Sequence, residues 1–175
     1  SDAEKELADG RAEAEAELAD ARQELNDAQT ELDNGKSQLE ASRTELESSR
    51  QELNDRQAEL DQAAAELNAN IDTLNEQIDS LNGLKEQYNA LAASGKMDDA
   101  TLAAMNALYE GIQQGDAAVA EAQAQIESAR AEIESGQTQI NSGWEQIEQA
   151  EQQIADAEAE IADGEQELAD GWEEY

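Results

Sequence analysis

From Ile112 to Leu168 a large aliphatic residue returns at every seventh position, and a glycine or alanine sits three places after each one. The large residues are Ile112, Val119, Ile126, Ile133, Ile140, Ile147, Ile154, Ile161 and Leu168. Their small partners are Gly115, Ala122, Ala129, Gly136, Gly143, Ala150, Ala157, Gly164 and Gly171. In the first half, leucines keep the same step from Leu18 to Leu81, through Leu25, Leu32, Leu39, Leu46, Leu53 and Leu60. Ala21, Ala28, Gly35, Ser42, Ser49 and Ala63 follow them at the small position, whereas Arg56, Asn70 and Gln77 depart from the rule. Apolar residues at two positions of a seven-residue repeat (a and d of abcdefg) form the seam of a left-handed coiled coil. The eleven-residue step from Leu7 to Leu18 reads as a stutter in that repeat.

Glycine costs a helix about 1 kcal/mol relative to alanine, so its regular placement needs a compensating gain. Antiparallel pairing supplies one: each large residue of one helix meets a small residue of the other, and the axes approach to the lower end of the ~8–10 Å range. The expected seam is Leu25, Leu32, Leu39, Leu46, Leu53 and Leu60 against Ile126, Ile133, Ile140, Ile147, Ile154 and Ile161, with Gly136, Gly143, Gly164 and Gly171 admitting the leucines. The fold class expected is all-α, a long antiparallel two-helix coiled-coil hairpin with a small helical tip.

The chain best reverses at Ser94-Gly95-Lys96-Met97-Asp98-Asp99, where Gly95 can end one helix and Asp98 or Asp99 can cap the next. This divides a single elongated domain into a first arm (1–93), a turn and helical tip (94–112) and a second arm (113–175). Arg22, Lys36, Arg43 and Arg50 share position e of the first arm, and Trp144, Glu151, Glu158, Glu165 and Trp172 share it in the second. Pairing residues whose numbers add to 194 sets Lys36 by Glu158 and Arg43 by Glu151, with Arg50 over Trp144 and Arg22 over Trp172 as cation–π contacts. A slip of one heptad also pairs some of these charges.

Composition narrows the function. The 175 residues include 44 acidic and 10 basic ones, a net charge of -34, which repels nucleic acid and anionic lipid alike. With no His and no Cys, the usual nucleophile–base pairs and zinc sites cannot be assembled. No phosphate-binding glycine loop or EF-hand loop occurs, so no cofactor or metal is expected, and the acidic clusters read as a solvated face. Paired carboxylates on an open hairpin lack the enclosure that acid–base chemistry needs, so the chain is expected not to be an enzyme. No apolar run approaches the ~20 residues of a membrane span. The chain begins at Ser1 rather than Met, as expected of a piece cut from a longer protein.

Near the reversal the apolar face widens beyond what two helices can cover. Tyr88, Leu91, Met97, Leu102, Met105, Leu108 and Tyr109 gather there as a candidate tip interaction surface or a small local bundle. Trp144 and Trp172 stand beside Gly143 and Gly171, either covering the thinned seam or docking another helix.

The repeats KELADGRAEAEAELADARQEL and EIADGEQELADGWEEY carry a resemblance. They are similar to the extracytoplasmic coiled-coil insertions of FtsX-like (MacB-type) ABC transporter permeases of Gram-positive bacteria. The resemblance implies a stalk on the extracellular side of the cell membrane, anchored in the full-length protein and transmitting movement or contacting a partner. The partners it implies are the rest of the permease and its ATPase subunit, with an extracellular protein or a second copy at the tip. Similar heptads occur in YhgE/Pip-type and MMPL-type membrane proteins, which makes a structural tether or surface rod the alternative.

Overall fold

A computed structural model describes residues 2–175. The fold is all-α: helix α1 spans Asp2–Ala93 and helix α2 spans Asp99–Glu174, packed together as a hairpin. No proline interrupts either helix. Their outward faces are strengthened laterally by side chains one turn apart, where Gln donates to an acid, as in Gln23–Asp27, Gln57–Asp61 and Gln152–Asp156. Thr30, Ser37 and Thr44 turn their hydroxyls back onto the carbonyl four residues earlier. Such back-bonding to the preceding turn slightly destabilises a helix and tends to bend it.

The reversal is built from local chemistry. Gly95 takes a positive φ of 68°, the left-handed conformation that ends a helix at low cost for glycine alone. The Ser94 N–H still donates to the Ala90 carbonyl at 3.1 Å, and the Ser94 hydroxyl donates to the Leu91 carbonyl at 2.6 Å. At the start of α2 the Asp98 carboxylate accepts from the Thr101 N–H (2.8 Å) and hydroxyl (3.0 Å). Those hydrogen bonds, the backbone one first, hold the Asp98 carboxyl below its ordinary value.

The chain forms two compact units, Ser1–Glu52 with Gly143–Tyr175 and Leu53–Ser142. In the second unit Leu67, Leu74 and Ile126 form a buried cluster, and Ile71, Ile78, Val119, Ala122, Ala129 and Ile133 pack against it. In the first unit Ile147 and Leu168 are buried, while Leu25, Leu32, Leu39, Leu46, Ile154 and Ile161 remain half-buried. Residues 2–20 of α1 are exposed on every side, Leu7 to 76%.

Candidate interaction surfaces

The glycines of α2 receive leucines of α1. A Cβ built on Gly171 would lie 2.6 Å from a Leu25 methyl, and one on Gly164 would lie 3.3 Å from a Leu32 methyl. In the second unit, Leu60 fills the space over Gly136 (2.9 Å) and Leu81 that over Gly115 (2.7 Å). Roles reverse at Gly35, where Ile161 of α2 sits 3.9 Å from the built position. Each of these pairs has residue numbers adding to 196, so within each unit the helices run antiparallel.

The charged edge fixes the register and corrects the expected one. Lys36 pairs with Glu165 at 2.6 Å, Arg43 with Glu158 and Arg50 with Glu151. These numbers add to 201 rather than 194, a slip of one heptad. In the second unit Lys85 and Asp116 obey the same sum at 2.7 Å. The observed register gives Arg43 and Lys36 each a glutamate and gives Arg50 one as well, where the expected register left Arg50 with only an indole ring. Arg22 does not lie over Trp172; it lines a groove with Leu18, Asn26 and Tyr175. Hydrogen bonding to Glu165 raises the Lys36 ammonium above its ordinary value, and hydrogen bonding to Glu158 does the same for the Arg43 guanidinium.

Arg56, Asn70 and Gln77 do not interrupt the seam. All three are exposed. Beside Asn70 and Gln77 the seam is carried by Ile71 and Ile78, half-buried, each three residues before a leucine rather than after it, and beside Arg56 by the half-buried Gln57. The sequence shows this as isoleucines at position e, Ile71 and Ile78, beside the polar Asn70 and Gln77 at d.

At the reversal, Tyr88, Leu91, Met105 and Leu108 are half-buried, while Met97, Leu102 and Tyr109 are exposed, Met97 to 77%. Tyr88 and Tyr109 meet with ring centroids 6.3 Å apart. Trp144 and Trp172 keep 37% and 39% of their surface in solvent, and Trp172 meets Tyr175 edge-on at 5.8 Å. Among the described residues, no group of three or more Asp or Glu side chains converges in a way that would hold a metal ion.

A family model for HmpF, described as pilus motility taxis protein, matches residues 5–175. The chain belongs to the HmpF family. No curated protein and no solved structure matches it. Membership of the HmpF family overturns the resemblance to FtsX-like ABC transporter permeases and the transport stalk drawn from it, and the YhgE/Pip-type or MMPL-type rod does not fit either. The permease, its ATPase subunit and the extracellular tip partner are withdrawn with it. The physical reason lies in the seam. A large residue followed three places later by a small one is what close antiparallel packing asks of any such hairpin, so that part of the repeat reports the packing and not the lineage. The extracellular position and membrane anchor were expected through that resemblance alone. Among the described residues no helix is long and apolar enough to cross a membrane.

Proposed function

We propose that this chain serves pilus-dependent directed movement as a non-catalytic coiled-coil scaffold whose partners belong to the pilus or its taxis machinery. The observation that carries this reading is the HmpF match over residues 5–175, nearly the whole sequence. The chemistry agrees with it. The chain has neither His nor Cys, and its helices offer long solvated edges rather than an enclosed cleft. Such a module works by presenting side chains at fixed spacing along a stiff backbone, with recognition rather than reaction as its output.

The test is genetic. Deleting the encoding gene abolishes pilus-dependent directed movement, and the wild-type gene restores it. A variant with the buried cluster broken by Leu67→Asp and Leu74→Asp does not restore it, whereas single replacements of exposed carboxylates do. Unchanged directed movement in the deletion strain overturns the reading.

A further inference from the structure

The two sides of the helix pair in the second unit are finished differently. On one side Ile71 and Ile78 thicken the apolar stripe, and Lys85 closes on Asp116 at 2.7 Å. On the other side the positions beside the seam are small or acidic, and the seam lies open in two grooves. One groove, of about 380 Å³, has Leu60, Leu67, Ala129 and Ile133 as its floor and Glu59, Glu66, Glu132 and Arg56 at its rim. The other, of about 440 Å³, has Leu81, Leu84, Gly115 and Val119 as its floor, with only the short side chains of Thr73, Ser80 and Ala118 and the carboxylate of Glu76 beside it. Leu60, Leu84, Val119 and Ile133 stay half-buried.

This side is also charged in one sense. Its flanking heptad positions hold Asp55, Glu59, Glu66, Glu76, Glu121 and Glu132 against Arg56 alone. Glu66 accepts from Gln62 and Glu132 from Ser128, neutral donors that leave the charge in place. An apolar floor with an acidic rim calls for an occupant that is apolar along one stripe and basic beside it. From Leu67 to Leu81 the two floors are two heptads apart, about 21 Å along the axis. A helix laid along the pair returns to the same face after two heptads, so one straight helix reaches both. A second copy of the chain does not qualify. Its basic row of Lys36, Arg43 and Arg50 is already paired with Glu165, Glu158 and Glu151, and its net charge is -34. Nucleic acid and anionic membrane are repelled by the same charge.

We propose that the open side of the second unit takes a third helix from a partner protein, one with an aliphatic heptad stripe bordered by Lys or Arg. The stripe enters past Thr73, Ser80 and Ala118 onto Leu81 and Val119 and, two heptads away, onto Leu60 and Ile133. The partner's bases reach Glu59, Glu66 and Glu132. Those carboxylates rim the first groove, whereas the second has Glu76 alone, so the more basic end of the helix lies over the first groove. The inference rests on the shape and charge of this side and stands apart from the motility reading.

The test uses the full chain and a synthetic four-heptad peptide with Leu at a and d and Lys at e and g, carrying a fluorophore. Fluorescence anisotropy is expected to show saturable one-to-one binding that weakens as salt rises. A peptide with the same residues in scrambled order, equal in charge but without the stripe, binds at least about tenfold more weakly. Glu59→Gln, Glu66→Gln and Glu132→Gln together weaken binding about tenfold, whereas Glu24→Gln, Glu31→Gln and Glu160→Gln, which remove the same charge from the first unit, change it less than about twofold. Ala118→Trp fills the second groove and weakens binding, with helix content unchanged by circular dichroism. Absence of binding by the striped peptide overturns the proposal. So does equal binding of the scrambled peptide, equal loss from the two triple replacements, or an Ala118→Trp chain that binds as well as the wild type.

Discussion

The two units solve the same packing problem with different side chains. Both seat leucines of α1 over glycines of α2, as Leu25 and Leu32 do in the first unit and Leu60 and Leu81 in the second. They differ in what flanks the leucines. In the first unit position e of α1 is Lys36, Arg43 and Arg50, each paired with a glutamate. In the second it becomes Ala64, Ile71 and Ile78, which widen the apolar stripe and bury Leu67, Leu74 and Ile126. Exposed ion pairs contribute little to stability, typically ~0.2–1 kcal/mol each, while a buried aliphatic side chain contributes several times more. The second unit is therefore the stabilising one, and the first is the one whose charged edge selects the register.

Four sets of substitutions or titrations probe the account, from the largest effect to the smallest. Leu74→Ala in the buried cluster costs about 3 kcal/mol in urea unfolding followed by ellipticity, and Leu32→Ala in the half-buried seam costs about half as much. Equal losses would erase the distinction between the units. The glycines come next. Gly10→Ala and Gly83→Ala, which meet nothing within 4 Å, raise stability by up to about 1 kcal/mol each. Gly171→Ala and Gly136→Ala forfeit that gain, because a leucine methyl within 3 Å of the new carbon has to move first. If all four substitutions stabilise alike, the leucines do not occupy the glycine positions.

The charged edge gives a smaller effect. Arg50→Gln lowers stability by about 0.5 kcal/mol at low salt, and the difference vanishes in 1 M salt, where the screening length is ~3 Å. The smallest signals are the pH limits. The Lys36 ammonium is raised in the folded chain, so its contribution is complete below 10.5 and is lost as the pH climbs above that value. The Asp98 cap is depressed, so its contribution is complete above 3.8 and disappears as the pH falls through the lower folded value. Asp98→Asn removes the acid limb of that profile, and Lys36→Gln removes the alkaline one.

The hairpin was legible because the seven-residue period, the small residue after each large one and the Ser94–Asp99 break are all local features. The register was not. A slip of one heptad exchanges Leu for Leu, Gly for Ala and Glu158 for Glu165, so only the sum over three ion pairs separates the two alignments, and Arg50 decides it by gaining Glu151. In the second unit Asn70 and Gln77 depart from the small-residue beat, and Ile71 and Ile78, placed before each leucine rather than after it, carry the apolar face that widens toward the turn. The candidate tip residues shared a neighbourhood by simple proximity to the turn. Which of them are covered depends on helix rotation, which sets Tyr88 against Tyr109, and on the loop between the helices, which leaves Met97 in water. Family membership was hidden for the reason that made the fold plain: repeats imposed by packing carry little lineage.

The most direct test of the antiparallel leucine-in-glycine seam uses the absence of cysteine. A chain carrying Leu25→Cys and Gly171→Cys and a second carrying Leu25→Cys and Gly164→Cys are oxidised at low concentration, and the intramolecular disulfide is scored by mobility and mass. A disulfide forms only when the two Cα atoms lie within ~7 Å. The register described here predicts rapid closure of the 25–171 pair and none of the 25–164 pair. Closure of 25–164 in preference to 25–171, or of neither, would contradict it.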